Sequence, residues 1–469
     1  MKHGKPAVSE HKKAMIEKVL HEVLMAVRPT PNEIRVLTAR SNEIMGRLKA
    51  AAPKNVEIIL AGSVARGTQV RGSSDIDIFL LFPKTMKEER MEAEGLKIAK
   101  SIVKRKMKES YEIKYAEHPY TRLFLHDVNV TADIVPAFKI SSAEEMGSAV
   151  DRTQLHNEFV NTKLTEKQRN DVRILKTFLN ARSVYGAEAA VEGFSGYLCE
   201  LLVYYYGSFI KVLESFAEIR LPAVLDILNK GQEVKNAKEV SKRFNSEFVV
   251  IDPTDRNRNV AANVSKESIG KTVLGARAFL RNPSVHTFYV KGHSHEKIMK
   301  ALKELEEFLN IDIYLMAFRL PDITEDILWQ QLKRLRQQIV QHMEHAEFKP
   351  ILSFQSISGR EAIMALFIGN AENRVSEIRG PSALIGKAAE GFIESHKKTY
   401  VFFDGDRLVS IEKPKFKSSK EAARAVISKN NIKFPSYISK KGARLYINSF
   451  PERYAIMLHD ALHEKIAHE

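Results

Sequence analysis

Apolar positions recur every three to four residues over 9–27 and 31–50, a spacing that predicts two helices. Arg28-Pro29-Thr30-Pro31 separates them, with Thr30 placed as N-cap and Pro31 in the first turn. Short apolar runs at 55–61 and 75–82 then read as strands, and Pro83 ends the second. Helical spacing returns over 86–107, with Met91, Ile98, Ala99, Ile102 and Val103 on one face. Three short strands are expected over 111–117, 122–126 and 128–135. From Asp151 the pattern is helical: 151–163, 165–182, and a strongly hydrophobic segment from Gly193 to Phe209 that is expected to be buried. Its Tyr204, Tyr205 and Tyr206 are read as core rather than as base-stacking residues. A loop and helix over 220–242 and a strand over 247–251 follow.

The remainder reads as mixed α/β. Strands are expected at 287–290, 312–318, 350–358 and 361–369, and helices at 296–308 and 323–345. This order suggests a small sheet platform of the RNA-binding kind. After Gly380-Pro381 come a helix over 383–396, two strands flanking the Asp404-Gly405 turn, and a helix over 418–429 within a basic tail that runs from Lys413 to Arg444.

Composition narrows the class. A chain of 469 residues is too long for a single core, so several domains are expected. The formal net charge of +15 is spread along the chain, which points to a polyanionic partner; a lysine-rich surface of the thermophile type is the alternative. The lone Cys199 excludes a disulfide framework and any multi-cysteine zinc site, and suits a reducing compartment. No run approaches the roughly 20 apolar residues of a membrane helix, and no signal peptide precedes the first helix. The expectation is a cytoplasmic protein with no membrane partner.

The candidate chemistry lies between Ile59 and Phe82, in I-L-A-G-S-V-A-R-G-T-Q-V-R-G-S-S-D-I-D-I-F-L-L-F. Strand alternation points Asp75 and Asp77 one way and Ile76 and Ile78 into the core. Two adjacent carboxylates call for a cation, and Mg²⁺ favours a few carboxylates plus substrate phosphates; oxygen ligands suit Mn²⁺ as well. Gly62 and Ser63 would offer backbone N–H groups at a helix start to the β- and γ-phosphates, with Arg66 nearby as a charged donor. No G-K-[ST] closes the turn, so it is not a Walker loop. Asp133, inside the apolar run V-N-V-T-A-D-I-V-P, is read as a third metal ligand beside the first two. The plainer readings are solvated aspartates at a strand start and a strand-end aspartate in a turn.

With this glycine-serine turn followed by D-x-D, the chain resembles the nucleotidyltransferases of the DNA polymerase beta superfamily. The segments D-R-T-Q-L-H, K-T-F-L-N-A-R-S-V-Y-G-A-E, G-F-S-G-Y-L-C-E-L-L and D-P-T-D-R-N-R-N-V-A-A-N-V-S are similar, in the same order, to those of the archaeal-type (class I) tRNA CCA-adding enzymes. The resemblance is specific over about residues 30–285 and rests only on element order beyond them. It implies an α+β multidomain fold: a polymerase-beta-like nucleotidyltransferase head (1–145), a helical nucleotide-binding neck (146–265), an α/β body of the RNA-binding type (266–380) and a basic tail contacting tRNA (381–469).

It further implies template-independent addition of C, C and A to the 3′ end of tRNA from CTP and ATP, by two-metal transfer at Asp75, Asp77 and Asp133. Thr153 and His156, with Arg152 beside them, match the family's contacts to the incoming nucleotide. Lys176 and Tyr185 match its triphosphate ligands, and Arg258 the arginine that reads the base edge. Read without the family, Lys176 is a solvated helix lysine, His156 a satisfied neck histidine and Arg258 a loop salt-bridge partner. Val64 stands where relatives often carry an aromatic, a departure from the family's pattern. Body and tail would grip the acceptor and T arms of tRNA; the oligomeric state stays open, a homodimer included. The rival readings are a poly(A) polymerase or oligoadenylate synthetase of the same superfamily, and a catalytically silent RNA-binding scaffold.

Overall fold

Thr30 sets the entry to the head. Its hydroxyl accepts from the Glu33 amide at 3.1 Å while Glu33 accepts from the Thr30 amide at 2.6 Å. This reciprocal cap stops α1 (Glu10–Val27) and starts α2 (Pro31–Ala51), as the spacing predicts. The computed structural model describes residues 10–463 except 73–74, 105–108, 116–117, 149, 233, 290–295, 297–299, 301–302, 305–306, 308–309, 370–374, 429–431 and 439–441. The chain divides into two units, Met1–Lys291 and Gly292–Glu469.

The first unit opens with β1 (Glu57–Ala61), α3 (Gly62–Arg66), β2 (Ile76–Phe82), α4 (Glu88–Ser101), β3 (Glu109–Tyr115), β4 (Pro119–Leu125) and β5 (Val130–Phe138). These strands form one sheet in the order β1-β2-β5-β4-β3, in which β2 and β5 run parallel. Ile76, Ile78 and Leu80 share a buried core with Leu123 and Ile134, and with Ile44, Leu48, Met91 and Ile98 of α2 and α4. Alternation therefore turns Asp77 and Asp133 to the opposite face. The helix expected over 86–107 ends at Ser101, because Arg47 bonds the Ile102 carbonyl at 3.0 Å and takes it from the helical ladder.

The unit continues with α5 (Thr153–Lys163), α6 (Glu166–Asn180), α7 (Gly196–Tyr206), α8 (Phe209–Ala217), β6 (Ala223–Asp226), α9 (Ala237–Phe244), β7 (Phe248–Ile251) and α10 (Lys266–Arg281). Its core includes Phe178, Phe194, Phe209, Phe216, Phe248, Phe279 and Phe288, and Tyr204, Tyr205 and Tyr206 pack against it. The strand expected at 287–290 is instead a 3₁₀ turn, Val285–Phe288, and position 290 lies outside the described residues. Phe288 is the reason: its ring meets Phe178, Phe209 and Phe279 at 5.5–5.9 Å, which an extended segment on a sheet edge could not do.

The second unit holds β8 (Ile311–Arg319), α11 (Glu325–His345), β9 (Leu352–Ser358), β10 (Glu361–Gly369), β11 (Ser376–Ser382), α12 (Gly386–Ser395), β12 (Tyr400–Asp404), β13 (Arg407–Glu412), α13 (Ser419–Ser428), β14 (Arg444–Ile447) and α14 (Glu452–His463). The strands form a sheet β14-β8-β10-β9 and a smaller one β11-β13-β12. α11 and α13 cover one face of the larger sheet and α14 the other, so β8 and β10 read as near-continuous apolar runs. The helix expected over 296–308 falls mostly outside the described residues. Among the described residues no helix is long and apolar enough to cross a membrane.

Asp171 on α6 is 9% exposed, and burial pushes its carboxyl up from the ordinary 3.8 to about 6, a backbone bond from Phe209 notwithstanding. The unfolded chain therefore loses this proton first, and stability falls as pH rises from about 4 to about 6. Replacing Asp171 with Asn keeps an acceptor for Phe209 and removes the charge. Thermal melts should show the variant more stable than wild type at pH 7.5 by about 1–3 kcal/mol, with the difference gone by pH 4.

Candidate active site

Register across the sheet assembles the acidic face. Asp77 stands directly opposite Asp133 on the parallel β2–β5 pair, and Arg122 stands opposite Asp133 on β4. Asp75 precedes β2 and accepts from the Thr131 hydroxyl at 2.6 Å. Burial, then the Asp133 charge, pushes the Asp77 carboxyl up to about 6, with Asp75 adding and Arg66 opposing. Arg122 donates from Nε and from a terminal nitrogen to the two oxygens of Asp133, both at 2.7 Å. The sequence reading did not single out Arg122; its only signal was a basic residue in a strand flanking an acidic one.

The turn beside this row is shaped by Gly62. Its φ of +69° lies in the left-handed region, and a Cβ there would overlap the Asp77 carboxylate. Ser63 follows in the single turn of α3. Arg66, expected beside the phosphates, is buried, with Nε bonded to Glu200 at 3.1 Å and a terminal nitrogen to Asn157 at 3.0 Å. Glu200 is fully buried and also accepts from the Thr68 hydroxyl at 2.5 Å. Lys176 donates to the Thr68 carbonyl at 3.0 Å, and burial pulls its ammonium pKa down. Lys176 is thus 3% exposed rather than a solvated helix lysine. A Cβ on Gly196 would lie 3.3 Å from the Tyr185 hydroxyl and 3.6 Å from Lys176, so both side chains converge on bare backbone at the start of α7.

A second cluster surrounds Asp252, which is fully buried. His156 bonds it at 3.1 Å, Arg258 at 2.8 Å, the Tyr197 hydroxyl at 3.2 Å, and Thr254 through its amide at 2.9 Å and its hydroxyl at 2.8 Å. Burial alone would raise the Asp252 carboxyl, but these donors outweigh it and hold it well below the usual carboxylate range. His156 stacks on Tyr197 at 3.8 Å, and burial lowers its pKa. Arg256 is spent on Asp226, whereas Arg258 uses one nitrogen on Asp252 and keeps a side chain 32% exposed. Arg152 lies 3.4 Å from Asp255 of the same loop, and Thr153 opens α5. Asp252 sat in a quoted motif, yet only the fold shows that it holds both His156 and Arg258.

Residues 41–156 match a nucleotidyltransferase domain, 170–289 the second domain of tRNA nucleotidyltransferase, and 311–441 the C-terminal domain of the CCA-adding enzyme. A CCA-adding enzyme of Archaeoglobus fulgidus is 35% identical over 88% of this chain and 90% of its own length. The chain belongs to the CCA-adding enzyme family. A further member, from Methanocaldococcus jannaschii, is 32% identical over 93% of this chain and 97% of its own. A crystal structure of the Cid1 poly(U) polymerase aligns at 14% identity with a TM-score of 0.48, over 60% of this chain and 100% of that one.

The acidic row offers the oxygen donors that suit a divalent cation: Asp75 is exposed, Asp77 half-buried and Asp133 buried, with burial and then neighbouring charge pushing Asp77 up. Among the described residues, the three aspartates do not bring ligand atoms within 4.8 Å of one another, Asp133 being turned onto Arg122 and Asp75 onto Thr131. Glu88, Glu92 and His118 do so; His118 Nδ1 lies 2.8 Å from Glu92, a hydrogen-bond contact that needs no metal.

Replacing Gly62 with Ala should displace the Asp77 carboxylate and lower the nucleotidyl-transfer rate by about 100-fold, with an unchanged circular dichroism spectrum. Replacing Asp252 with Asn should cost about 3–5 kcal/mol in thermal or denaturant melts, since His156 and Arg258 lose a charged acceptor. The same variant should raise the KM for CTP and ATP together.

Proposed function

We propose that this chain restores C, C and A in turn to the 3′ end of tRNA, using CTP and ATP, without a nucleic-acid template. The observation that carries the reading is the alignment of Asp77 with Asp133 beside the Gly62 turn, in a member of the CCA-adding enzyme family. Asp75, Asp77 and Asp133 would hold Mg²⁺, or Mn²⁺ in its place. A divalent pair, when bound, neutralises the triphosphate and lowers the pKa of an attacking 3′-hydroxyl.

The chain's own groups do the rest. Backbone at Gly62 and Ser63 receives the β- and γ-phosphates, and Lys176 and Tyr185 close on the triphosphate at the start of α7. Arg66 positions that turn through Glu200 and Asn157. Thr153, His156 and Arg152 line the nucleotide's place. Arg258, steered by Asp252, offers donors to the acceptor edges of cytosine or adenine and has no acceptor for guanine's donors. The positive net charge supplies the tRNA grip, in which we include the second unit. The buried, unpaired Cys199 suits work in the reducing cytoplasm.

The test is tRNA lacking its last three nucleotides, incubated with each nucleoside triphosphate separately and together. CTP alone should add two residues, and ATP one more after them. Runaway A addition, or use of GTP or UTP at rates near that of CTP, would overturn the reading in favour of a poly(A) polymerase type. Replacing Asp75 or Asp77 with Asn should lower the rate by at least about 1000-fold, because a metal site acts as a unit.

A further inference from the structure

We infer that Arg122 is a positioning residue that serves as the built-in counter-ion of the acidic row, and that its charge opposes a divalent cation at Asp133. The inference rests on the proposed metal role of Asp75, Asp77 and Asp133. Asp77, Asp133 and Arg122 occupy one row on three neighbouring strands, facing away from the helices that cover the sheet. Arg122 meets Asp133 side-on, one nitrogen to each oxygen, so neither oxygen is left without a donor. The Asp133 side chain is 12% exposed and that of Arg122 30%, so the pair is partly shielded from water.

Among the described residues Arg122 has no ion pair on the far side. Glu112 stands directly across from it on β3 but bonds Lys114 at 2.8 Å. On its own strand its neighbour is Tyr120, whose hydroxyl is 3.5 Å away, at the limit of a hydrogen bond. The guanidinium is therefore committed to Asp133. A carboxylate has about four lone-pair sites and the fork takes two, so a cation can take a free site on Asp133 while both nitrogens of Arg122 stay bonded. The fork would then hold the Asp133 carboxylate in one orientation. Arg122 in this way keeps the row folded and oriented between metal-loading events, at the expense of cation affinity.

The experiment uses the full-length protein, with Mn²⁺ as the probe, counted by the electron paramagnetic resonance signal of the free ion. Thermal melts are taken in EDTA and in saturating Mg²⁺. Arg122→Gln should melt below wild type in EDTA and recover more of the difference than wild type gains when Mg²⁺ is added. It should bind Mn²⁺ roughly 5- to 10-fold more tightly, because a cation close to the site has gone, and turn over about 10-fold or more slowly with a little-changed KM for CTP. Arg122→Lys, which keeps the charge without the fork, should melt like wild type in EDTA and bind Mn²⁺ with affinity between the two; it also serves should Arg122→Gln fail to fold. Equal melting losses with and without Mg²⁺, together with unchanged Mn²⁺ affinity in both variants, would overturn the inference and leave Arg122 an ordinary tie between β4 and β5. Wild type that binds no Mn²⁺ sensitive to Asp77→Asn would instead overturn the metal reading of the row, and the inference with it.

Discussion

Parallel pairing of β2 with β5, in the one register that sets Asp77 against Asp133, is the constraint on which the head depends. It forces two carboxylates onto the same face at neighbouring positions, where burial and mutual repulsion push Asp77 up to about 6. A slip of β5 by one residue would turn Asp133 into the core and Ile134 out of it. The apolar partners Ile76, Ile78 and Ile134, packed under α2 and α4, forbid that slip. The hydrophobic face thus holds in place an electrostatic arrangement that would not form by itself.

Around this row the chain spends its charged side chains on position rather than on net stability. Buried ion pairs often contribute little to folding, yet removing one partner is costly because the other stays buried and unmatched. Arg66–Glu200 fits that description: it links the turn after β1 to α7, and through Thr68 to Lys176 on α6. Asp252 plays the same part for His156 and Arg258. The Gly62 turn and Lys176 are thereby tied through Glu200, and His156 and Arg258 through Asp252, both carboxylates fully buried.

Much of the head and neck was legible before the fold was known, since long helical periodicities and apolar runs near the glycine-serine turn are local signals. What escaped included α10 and α14, for which no element was expected, and β11, which runs through the Gly380-Pro381 pair, besides strands too short to show a pattern. β6 has four residues and β14 four, too few for alternation to show, and both are defined by the strand they pair with. The strand expected at 287–290 failed because an apolar, aromatic stretch was read as extended, when Phe288 is drawn into a cluster of rings. Arg66 was legible as a cation near the turn, but its burial against Glu200, 134 residues away, was not.

By itself the amino-acid sequence determined which residue types stand close along the chain: a glycine able to take a left-handed turn, two aspartates flanking an isoleucine where a strand begins, and an arginine-rich loop after a strand. These are properties of local backbone geometry and need no knowledge of distant contacts. Only the tertiary structure decided that Arg122 faces Asp133, that Gly62 leaves room for Asp77, and that Asp252 steers both His156 and Arg258. Each of those depends on strand register or helix packing between segments far apart in sequence, and register is set by the whole buried face at once rather than by any residue in the pair.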